Sequence, residues 1–265
     1  MDLQLTGKQA LITGSTQGIG FAAAAALAKE GASVIINGRA QNKIDDALAR
    51  LETRIGGNDS VRGVAADLGT AEGAEEMIQS VPEVDILVNN VSIFDPRPFE
   101  QIQDEEWLRF WQVNVMSGVR LSRHYLPIMK EKNWGRIVFI SSESGLHIPP
   151  EMIHYGVTKS AQISLARGLA ETTEATGVTV NSVLPGPTSS EGVMGFLEKL
   201  AEENSMSKKQ MKEEFFKTAR PTSLLKRFTT PEEIAAMVVF VCSPLSSAVN
   251  GAPLRADGGV VRAMA

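Results

Sequence analysis

The chain has 265 residues, of which 43% are hydrophobic and 22% are charged, and this is the composition of an ordinary soluble globular protein. Its formal net charge of −5 argues against a nucleic-acid partner, because nucleic-acid-binding surfaces are normally basic. The single cysteine, Cys242, excludes an internal disulfide and is typical of a protein from a reducing compartment.

The sequence carries two signals about where the protein is located. Residues 1–8 lack the basic start and the apolar stretch of a signal peptide. No apolar run approaches the ~20 residues that a membrane helix needs. We therefore expect a cytoplasmic protein with no membrane partner.

Short apolar segments alternate with longer amphipathic segments along the chain. In chain order, the pattern predicts strand Gln9–Thr13, helix Gly18–Glu30, strand Ser33–Asn37, helix Lys43–Ile55, strand Val61–Ala65, helix Thr70–Ser80, strand Asp85–Val88, helix Asp104–Lys130, strand Arg136–Ile140, helix Met152–Thr173, strand Val178–Val183, helix Pro231–Cys242 and a short strand at Ala252–Arg255. This alternation predicts an α/β fold, a Rossmann-type doubly wound parallel sheet of about seven strands with helices on both faces. With no linker or repeat in view, we expect a single domain over residues 1–265.

One stretch, residues 189–220, interrupts the alternation between the sixth strand and the last helix. It is charged, rich in methionine and helical in pattern. A solvated pair of surface helices and a mobile lid over a substrate cleft are both consistent with this composition. The insert follows the end of a strand, where open α/β sheets place their ligands, so we favour the substrate-covering lid.

A glycine-rich turn, Thr13–Gly20, lies between the first strand and the first helix. Glycines at such a turn let backbone amides approach a pyrophosphate, and the helix N-terminus adds a positive dipole end. The alternative is a tight turn with no ligand, which the position after the first strand disfavours. The predicted cofactor-binding residues of the turn are Gly14, Ser15, Thr16, Gln17, Gly18, Ile19 and Gly20.

The residues after the second strand indicate which dinucleotide binds. An NAD site usually carries an acid here, which bonds the ribose 2′-hydroxyl. The chain has Asn37, Gly38 and Arg39 instead, and Arg39 is suited to pair with a 2′-phosphate. The alternative interpretation of Arg39 is a solvated loop arginine. We favour NADP(H) over NAD(H).

Three residues near the fifth strand carry the clearest chemical signal. Tyr155 and Lys159 are four apart, on one face of a helix, and Ser142 stands thirteen residues before the tyrosine. With the motifs around it, this pattern resembles the short-chain dehydrogenase/reductase family, in its shorter branch, from Lys8 to Gly259. The other matching motifs are the turn of Gly14, Gly18 and Gly20, Asp67–Leu68, Asn89–Asn90, Asn114, Pro185–Gly186 and Asp257–Gly259.

The resemblance implies a role for each catalytic residue. Tyr155 would be the general acid/base, and the cation of Lys159 would favour its phenolate and bond the nicotinamide ribose. Ser142 would hold the substrate oxygen, with Ser141 as the neighbouring alternative. Asn114 would order a water molecule that links Lys159 to solvent.

The resemblance also implies further cofactor contacts. Asp67 would meet the adenine ring and Asn89 the adenosine side, while Thr188 is favoured over Ser190 for the nicotinamide amide. The remaining predicted contacts are Leu68, Val91, Pro185 and Gly186. The chain departs from the family pattern at Val91–Ser92, where alanine and glycine are usual.

Together these features predict an oxidoreductase that transfers a hydride between NADP(H) and a carbonyl or secondary alcohol. A 3-oxoacyl thioester reductase is an alternative within the class, and a non-catalytic NADP(H)-binding protein or a lyase or isomerase lies outside it. His147 and His154 flank the site without matching a family position, and no His, Cys or acidic cluster has metal-ligand spacing. A homodimer or homotetramer is expected on the resemblance alone.

Overall fold

A computed structural model describes residues 1–57 and 60–264. Its strands are β1 (Gln9–Ile12), β2 (Ser33–Gly38), β3 (Val61–Ala65), β4 (Ile86–Asn89), β5 (Gly135–Ile140), β6 (Val178–Pro185) and β7 (Pro253–Ala256). Its α-helices are α1 (Gly18–Lys29), α2 (Gln41–Ile55), α3 (Ala71–Ser80), α4 (Asp104–Trp111), α5 (Ser117–Glu131), α6 (Ile153–Glu171), α7 (Glu191–Glu203), α8 (Lys208–Thr218) and α9 (Pro231–Cys242).

The strands form one parallel sheet in the order β3-β2-β1-β4-β5-β6-β7. The chain winds outward from β1 in one direction as far as β3 and then returns to add β4 on the other side. The predicted doubly wound sheet is therefore confirmed. A crevice opens where the two directions diverge, outside the carboxyl ends of the strands.

Alternating side chains of the strands supply two cores, one on each face of the sheet. On β1, Ile12 packs in the cluster that holds α1, α2 and α9, and its neighbour Leu11 packs in the cluster that holds α3, α5 and α6. Fully burying one such side chain stabilises the fold by roughly 1.5–3 kcal/mol. The buried alanines at 22–25 let α1 pack closely beneath α9.

The predicted helix Asp104–Lys130 is not regular along its length. Between α4 and α5, residues Gln112–Met116 form a π-helical turn. Such turns insert one extra residue into a helix and are frequent at functional sites. Asn114, one of the predicted catalytic residues, lies within this turn. The hydrophobic pattern predicted a continuous helix and gave no indication of the irregularity.

Residues 189–220, called the covering segment below, form the helix pair α7 and α8. They share a small apolar cluster of their own, built on buried Leu197, Ala201 and Met211. Ser207 begins α8 with a capping box, in which its side chain and that of Gln210 bond each other's backbone amides. The segment is therefore an ordered unit that packs internally.

Within the described residues, no helix has both the length and the apolar character needed to span a bilayer.

Candidate active site

A cavity of about 660 Å³ opens at the carboxyl ends of the strands. Its volume is in the range of pockets that bind small molecules and cofactors. Residues that follow β1 to β6 line it, together with the covering segment. The predicted site residues on its wall are Gly14, Thr16, Gln17, Gly18, Ile19, Arg39, Asp67, Leu68, Val91, Ser142, Tyr155, Lys159, Pro185, Gly186 and Thr188.

The geometry of the turn after β1 requires glycine at two positions. Gly18 has a φ of +61°, in the left-handed region that favours glycine. A Cβ on Gly20 would lie 2.5 Å from Nδ2 of Asn90 and 2.8 Å from the backbone oxygen of Gly14. Asn90 in turn donates to the backbone oxygens of Thr13 and Gly14, each at 2.9 Å. Asn90, for which the sequence indicated no individual role, therefore holds the turn in shape.

The N-terminus of α1 is suited to an anion. Gln17, its N-cap residue, makes no side-chain cap, and the first turn carries no acidic residue. The amide of Gly18 donates to Oε2 of Glu191 from the covering segment, at 2.9 Å. Arg50 lies 3.5 Å from the same carboxylate. A negatively charged group thus already binds at this turn, and a pyrophosphate fits the same donors.

Ser15 and Gly20 lie behind the cavity wall. The hydroxyl of Ser15 donates to the backbone oxygen of Ile12 at 2.6 Å and accepts from the backbone amide of Asn37 at 3.0 Å. Ser15 is fully buried by these contacts. The two predicted cofactor residues therefore shape the turn, and neither is part of the cavity lining.

Asn89 is also placed behind the wall. It is buried, and its Nδ2 donates to the hydroxyl of Ser122 at 3.3 Å. The next residue, Asn90, lines the cavity in its place, followed by Val91 and the exposed Ser92. The structure therefore places Asn89 behind the wall and Asn90 on it, because β4 ends at Asn89 and the chain turns into the cavity after it.

Arg39 is exposed and lines the cavity at the carboxyl end of β2. The preceding Asn37 is buried, and its Oδ1 accepts from the amide of Gly14 at 3.2 Å. Its Nδ2 donates to the backbone oxygens of Val64 and Ala66 at 3.2 and 3.1 Å. Asn37 thus joins β2 and β3 to the glycine turn, which leaves Arg39 as the charged side chain at this position.

The structure brings Ser142, Tyr155 and Lys159 together at the other end of the cavity. Ser142 follows β5, Tyr155 and Lys159 lie one turn apart on α6, and Tyr155 hydrogen-bonds with the Ser142 hydroxyl. The ammonium nitrogen of Lys159 lies 5.5 Å from the centre of the Tyr155 ring. The hydroxyl of Ser141 instead donates to the backbone oxygen of Lys159 at 2.8 Å, so it is engaged with the helix.

Burial sets the proton affinities of this pair. It raises the pKa of Tyr155 above its ordinary value, and Glu143 raises it further, whereas the hydrogen bond to Ser142 and the charge of Arg220 lower it. Burial lowers the pKa of Lys159 to about 7, although Glu143 acts in the opposite direction. In the folded site, burial therefore favours the neutral phenol of Tyr155.

The side chain of Asn114 is directed at the loop after β4. Its Oδ1 accepts from the amide of Ile93 at 2.8 Å, and its Nδ2 donates to the oxygens of Ile93 and Thr158, each at 3.0 Å. Buried by these contacts, Asn114 fixes the loop that forms one wall of the cavity.

Gln162 is a site residue that was not predicted from the sequence. It is 2% exposed, and its Oε1 accepts from Nζ of Lys159 at 3.1 Å. Its Nε2 donates to the backbone oxygen of Asn114 at 2.5 Å. Lys159 donates its other contact, at 2.9 Å, to the backbone oxygen of Ile140. The signal in the sequence was a polar residue three positions after Lys159 on the buried face of α6.

Thr188 and Ser190, the two candidates for the nicotinamide contact, follow β6, and the hydroxyl of each already has a hydrogen-bond partner. Thr188 donates to the backbone oxygen of Gly186 at 2.9 Å and pairs with the hydroxyl of Thr229 at 3.0 Å. Ser190 is the N-cap of α7 and accepts from the amide of Val193 at 3.4 Å. Both residues line the cavity.

The histidines are peripheral to this arrangement. His154 is fully buried, with its ring centre 4.0 Å from that of Phe110, and burial lowers its pKa. Neither His147 nor His154 is part of the cavity lining. In the part of the chain that the structure describes, no group of three His, Cys, Asp or Glu residues could hold a metal ion.

Comparison with known proteins identifies the class. The family model described as enoyl-(acyl carrier protein) reductase matches residues 14–261. The chain is 51% identical to "Uncharacterized oxidoreductase YvaG" of Bacillus subtilis (strain 168), over 100% of each chain. It is 34% identical to the D-beta-hydroxybutyrate dehydrogenase of Cupriavidus necator, over 97% of this chain and 99% of that protein.

A solved structure agrees with these matches. The L-sorbose reductase of Gluconobacter frateurii, complexed with NADPH and L-sorbose, is 30% identical and covers 100% of both chains with a TM-score of 0.93. The fold and the site define a dinucleotide-binding oxidoreductase. The chain belongs to the short-chain dehydrogenase/reductase family.

Proposed function

We propose that the protein is an NADP(H)-dependent carbonyl reductase, which transfers a hydride between NADP(H) and a ketone, aldehyde or secondary alcohol. The observation that carries this proposal is the meeting of Ser142, Tyr155 and Lys159 in the same cavity as the glycine turn. The similar L-sorbose reductase, complexed with NADPH and a sugar, supports it.

The chemistry of the chain's own residues suits the direction of reduction. Bound NADPH would supply the hydride. Because the pKa of Tyr155 is raised, its phenol is protonated at neutral pH and is ready to donate a proton to the substrate oxygen. Ser142 would turn its hydroxyl proton from Glu143 to the same oxygen, and the cation of Lys159 would stabilise the phenolate that Tyr155 leaves behind. The reverse sequence oxidises an alcohol.

Arg39 supports the preference for NADP(H) over NAD(H). It is exposed at the adenosine end, where a guanidinium makes forked, charge-assisted bonds to a 2′-phosphate. The turn from Gly14 to Ile19 would hold the pyrophosphate, Asp67 and Leu68 would border the adenine, and Pro185–Gly186 would border the nicotinamide.

The covering segment is proposed as a lid on this single domain. Val193, Phe196 and Phe215 line the cavity, and the ring of Phe94 lies 6.2 Å from that of Phe196 and 6.4 Å from that of Tyr155. Aromatic side chains above the reacting groups exclude water from them. An incoming pyrophosphate would displace the Glu191 carboxylate from the backbone amide of Gly18, and this would couple cofactor binding to the lid.

The assembly is proposed to be a cytoplasmic homodimer or homotetramer, paired through the long helices α4–α5 and α6. Light scattering on the eluted protein measures its mass directly, and a monomer at micromolar concentration would contradict the proposal.

Two experiments, a binding titration and a substrate screen, test the proposed function. Calorimetry with NADPH and NADH should show clearly tighter binding of NADPH. A panel of neutral ketones and aldehydes, followed at the absorbance band of the reduced nicotinamide, should then yield at least one that is turned over. Preference for NADH would overturn the cofactor proposal alone, whereas tight binding with no turnover across the panel would favour a non-catalytic binding protein.

A further inference from the structure

A buried carboxylate stands directly beside Ser142. Glu143 is 4% exposed and belongs to a short 3-10 turn, Glu143–Gly145, that follows β5. A buried charge is stable only when it is paired and hydrogen-bonded. Glu143 meets this condition through several donors: its Oε2 accepts from the hydroxyl of Ser142, from the amide of Ser144 at 2.8 Å and from the hydroxyl of Ser144 at 3.1 Å.

The partner charge comes from the covering segment. Arg220 follows α8, is 5% exposed, and its Nε donates to Oε1 of Glu143 at 2.8 Å. Its Nη1 donates to Oε1 of Glu151 at 3.0 Å and to the backbone oxygen of Ala219 at 2.7 Å. The ring of Phe215 lies beside the guanidinium. Glu143 and Arg220 therefore join the end of the lid to the turn that carries Ser142.

The hydrogen bonds of Ser142 hold its hydroxyl in one orientation. A serine hydroxyl has one proton and two acceptor sites, whereas an ionised carboxylate only accepts. The proton of Ser142 is therefore directed at Glu143. One acceptor site takes the amide of Ser144 at 3.1 Å, so the hydroxyl of Ser142 is fixed from two sides beside Tyr155.

We propose that Glu143 and Arg220 are positioning residues of this site: Glu143 holds the hydroxyl of Ser142 in place beside Tyr155, and Arg220 balances the charge of Glu143. Both lie on the cavity wall, but they act through Ser142 and Tyr155. The significance of the pair for catalysis rests on the proposed function, while the pair's effect on Tyr155 does not.

Opposite effects of Glu143 and Arg220 on the pKa of Tyr155 distinguish this role from a purely structural one. The charged groups that face Tyr155 are Glu143, Arg220 and Lys159. Glu143 raises the pKa of Tyr155 and Arg220 lowers it. Removal of the carboxylate should therefore lower the pKa of the phenol, and removal of the guanidinium should raise it. A pair that only stabilised the fold would show no such opposition.

The composition of the chain makes the measurement direct, because Tyr125 and Tyr155 are its two tyrosines. In a Tyr125→Phe background, biosynthetic labelling with 3-fluorotyrosine places one fluorine nucleus at Tyr155 and makes its phenol more acidic. The 19F chemical shift is then titrated against pH without cofactor or substrate. Relative to this parent, Glu143→Gln should move the midpoint to lower pH by about one pH unit, and Arg220→Met should move it to higher pH.

Three further variants complete the test. The double variant Glu143→Gln, Arg220→Met should return the midpoint towards that of the parent, and Arg220→Lys, which keeps the charge, should move it less than Arg220→Met. Glu151→Gln is the matched control, since it removes the other, partly exposed carboxylate on Arg220 and should leave the midpoint nearly unchanged.

Thermal unfolding establishes which variants are folded at the pH of the titration. If Arg220→Met does not fold, Glu143→Gln, Arg220→Lys and Glu151→Gln decide the outcome. An unchanged midpoint in folded Glu143→Gln, a shift in the same direction for Glu143→Gln and Arg220→Met, or an equal shift in Glu151→Gln would overturn the proposal. Because the titration uses neither cofactor nor substrate, its result is separate from any failure to find turnover.

Discussion

The ammonium nitrogen of Lys159 lies 3.1 Å from Oε1 of Gln162, and the amide nitrogen of that glutamine donates to the backbone oxygen of Asn114. A side chain thus bridges two positions that the family resemblance links through an ordered water molecule. Asn114 reaches Lys159 by its main-chain carbonyl and Gln162, while its side chain is fixed to Ile93.

Replacement of this bridge should change the proton affinity of Lys159. In Gln162→Leu the lysine loses an acceptor in a buried place, so its pKa should fall and the protein should lose about 1–3 kcal/mol of stability. Gln162→Glu adds a negative charge beside the ammonium, so the pKa of Lys159 should rise. The pH dependence of turnover and thermal unfolding measure the two effects. A shift of the same sign in both variants would contradict the assigned contact.

The pKa of Lys159 predicts how activity depends on pH. Burial places this pKa at about 7, so the ammonium is lost as the pH rises through that value. Without the cation the phenolate of Tyr155 is not stabilised, and kcat/KM for NADPH, which reports groups of the free enzyme, should fall above pH ~7. In Glu143→Gln the fall should occur at lower pH, because Glu143 raises the pKa of Lys159. A wild-type profile that stays flat from slightly acid to alkaline pH would rule this out.

Arg39 is predicted to select the cofactor. Arg39→Ala should weaken NADPH binding about tenfold or more, because a hydrogen bond to a charged group is lost, and should leave NADH binding nearly unchanged. Arg109→Ala is the matched control, since Arg109 is an exposed arginine on the same cavity wall. Calorimetric titration with each cofactor provides the comparison, and equal losses for NADPH and NADH in Arg39→Ala would remove the assignment.

Gly20 should tolerate no side chain. Its Cβ would lie 2.5 Å from Nδ2 of Asn90, so Gly20→Ala should destabilise the protein by about 1–3 kcal/mol and disturb the turn. Gly168→Ala makes the opposite prediction on α6: its Cβ would meet nothing within 4 Å, and alanine should stabilise the helix by roughly 0.5–1 kcal/mol. Denaturant unfolding compares the two. Similar effects of both substitutions would show that the close packing at Gly20 is not limiting.

The sheet was largely predictable from the sequence because its strands are short, apolar and separated by regular helices. Predicted strand β2 ended at Asn37 and the observed strand ends at Gly38, and α9 has the predicted bounds Pro231–Cys242. The interruption of the helix at Gln112–Met116 was not predictable, since the hydrophobic pattern runs through it and the contact of Asn114 with Ile93 is a tertiary one.

The candidate site divides in the same way. Local spacing predicted the meeting of Tyr155 and Lys159, because both lie on one helix. It could not separate Asn89 from Asn90, since one residue decides whether a side chain ends in the sheet or in the cavity. The contact of Arg220 with Glu143 joins residues 77 positions apart and depends on how the covering segment packs.

If Tyr155 gives up the proton in an NADPH-dependent reduction, its hydroxyl is essential, and a comparison of Tyr155→Phe with the wild type on one accepted carbonyl substrate measures this. Tyr155→Phe should bind NADPH as tightly as the wild type and lose turnover by at least about 100-fold. Tyr125→Phe, which removes the hydroxyl of a tyrosine outside the cavity lining, should keep its activity. Turnover by Tyr155→Phe within tenfold of the wild type would show that Tyr155 is not the proton donor.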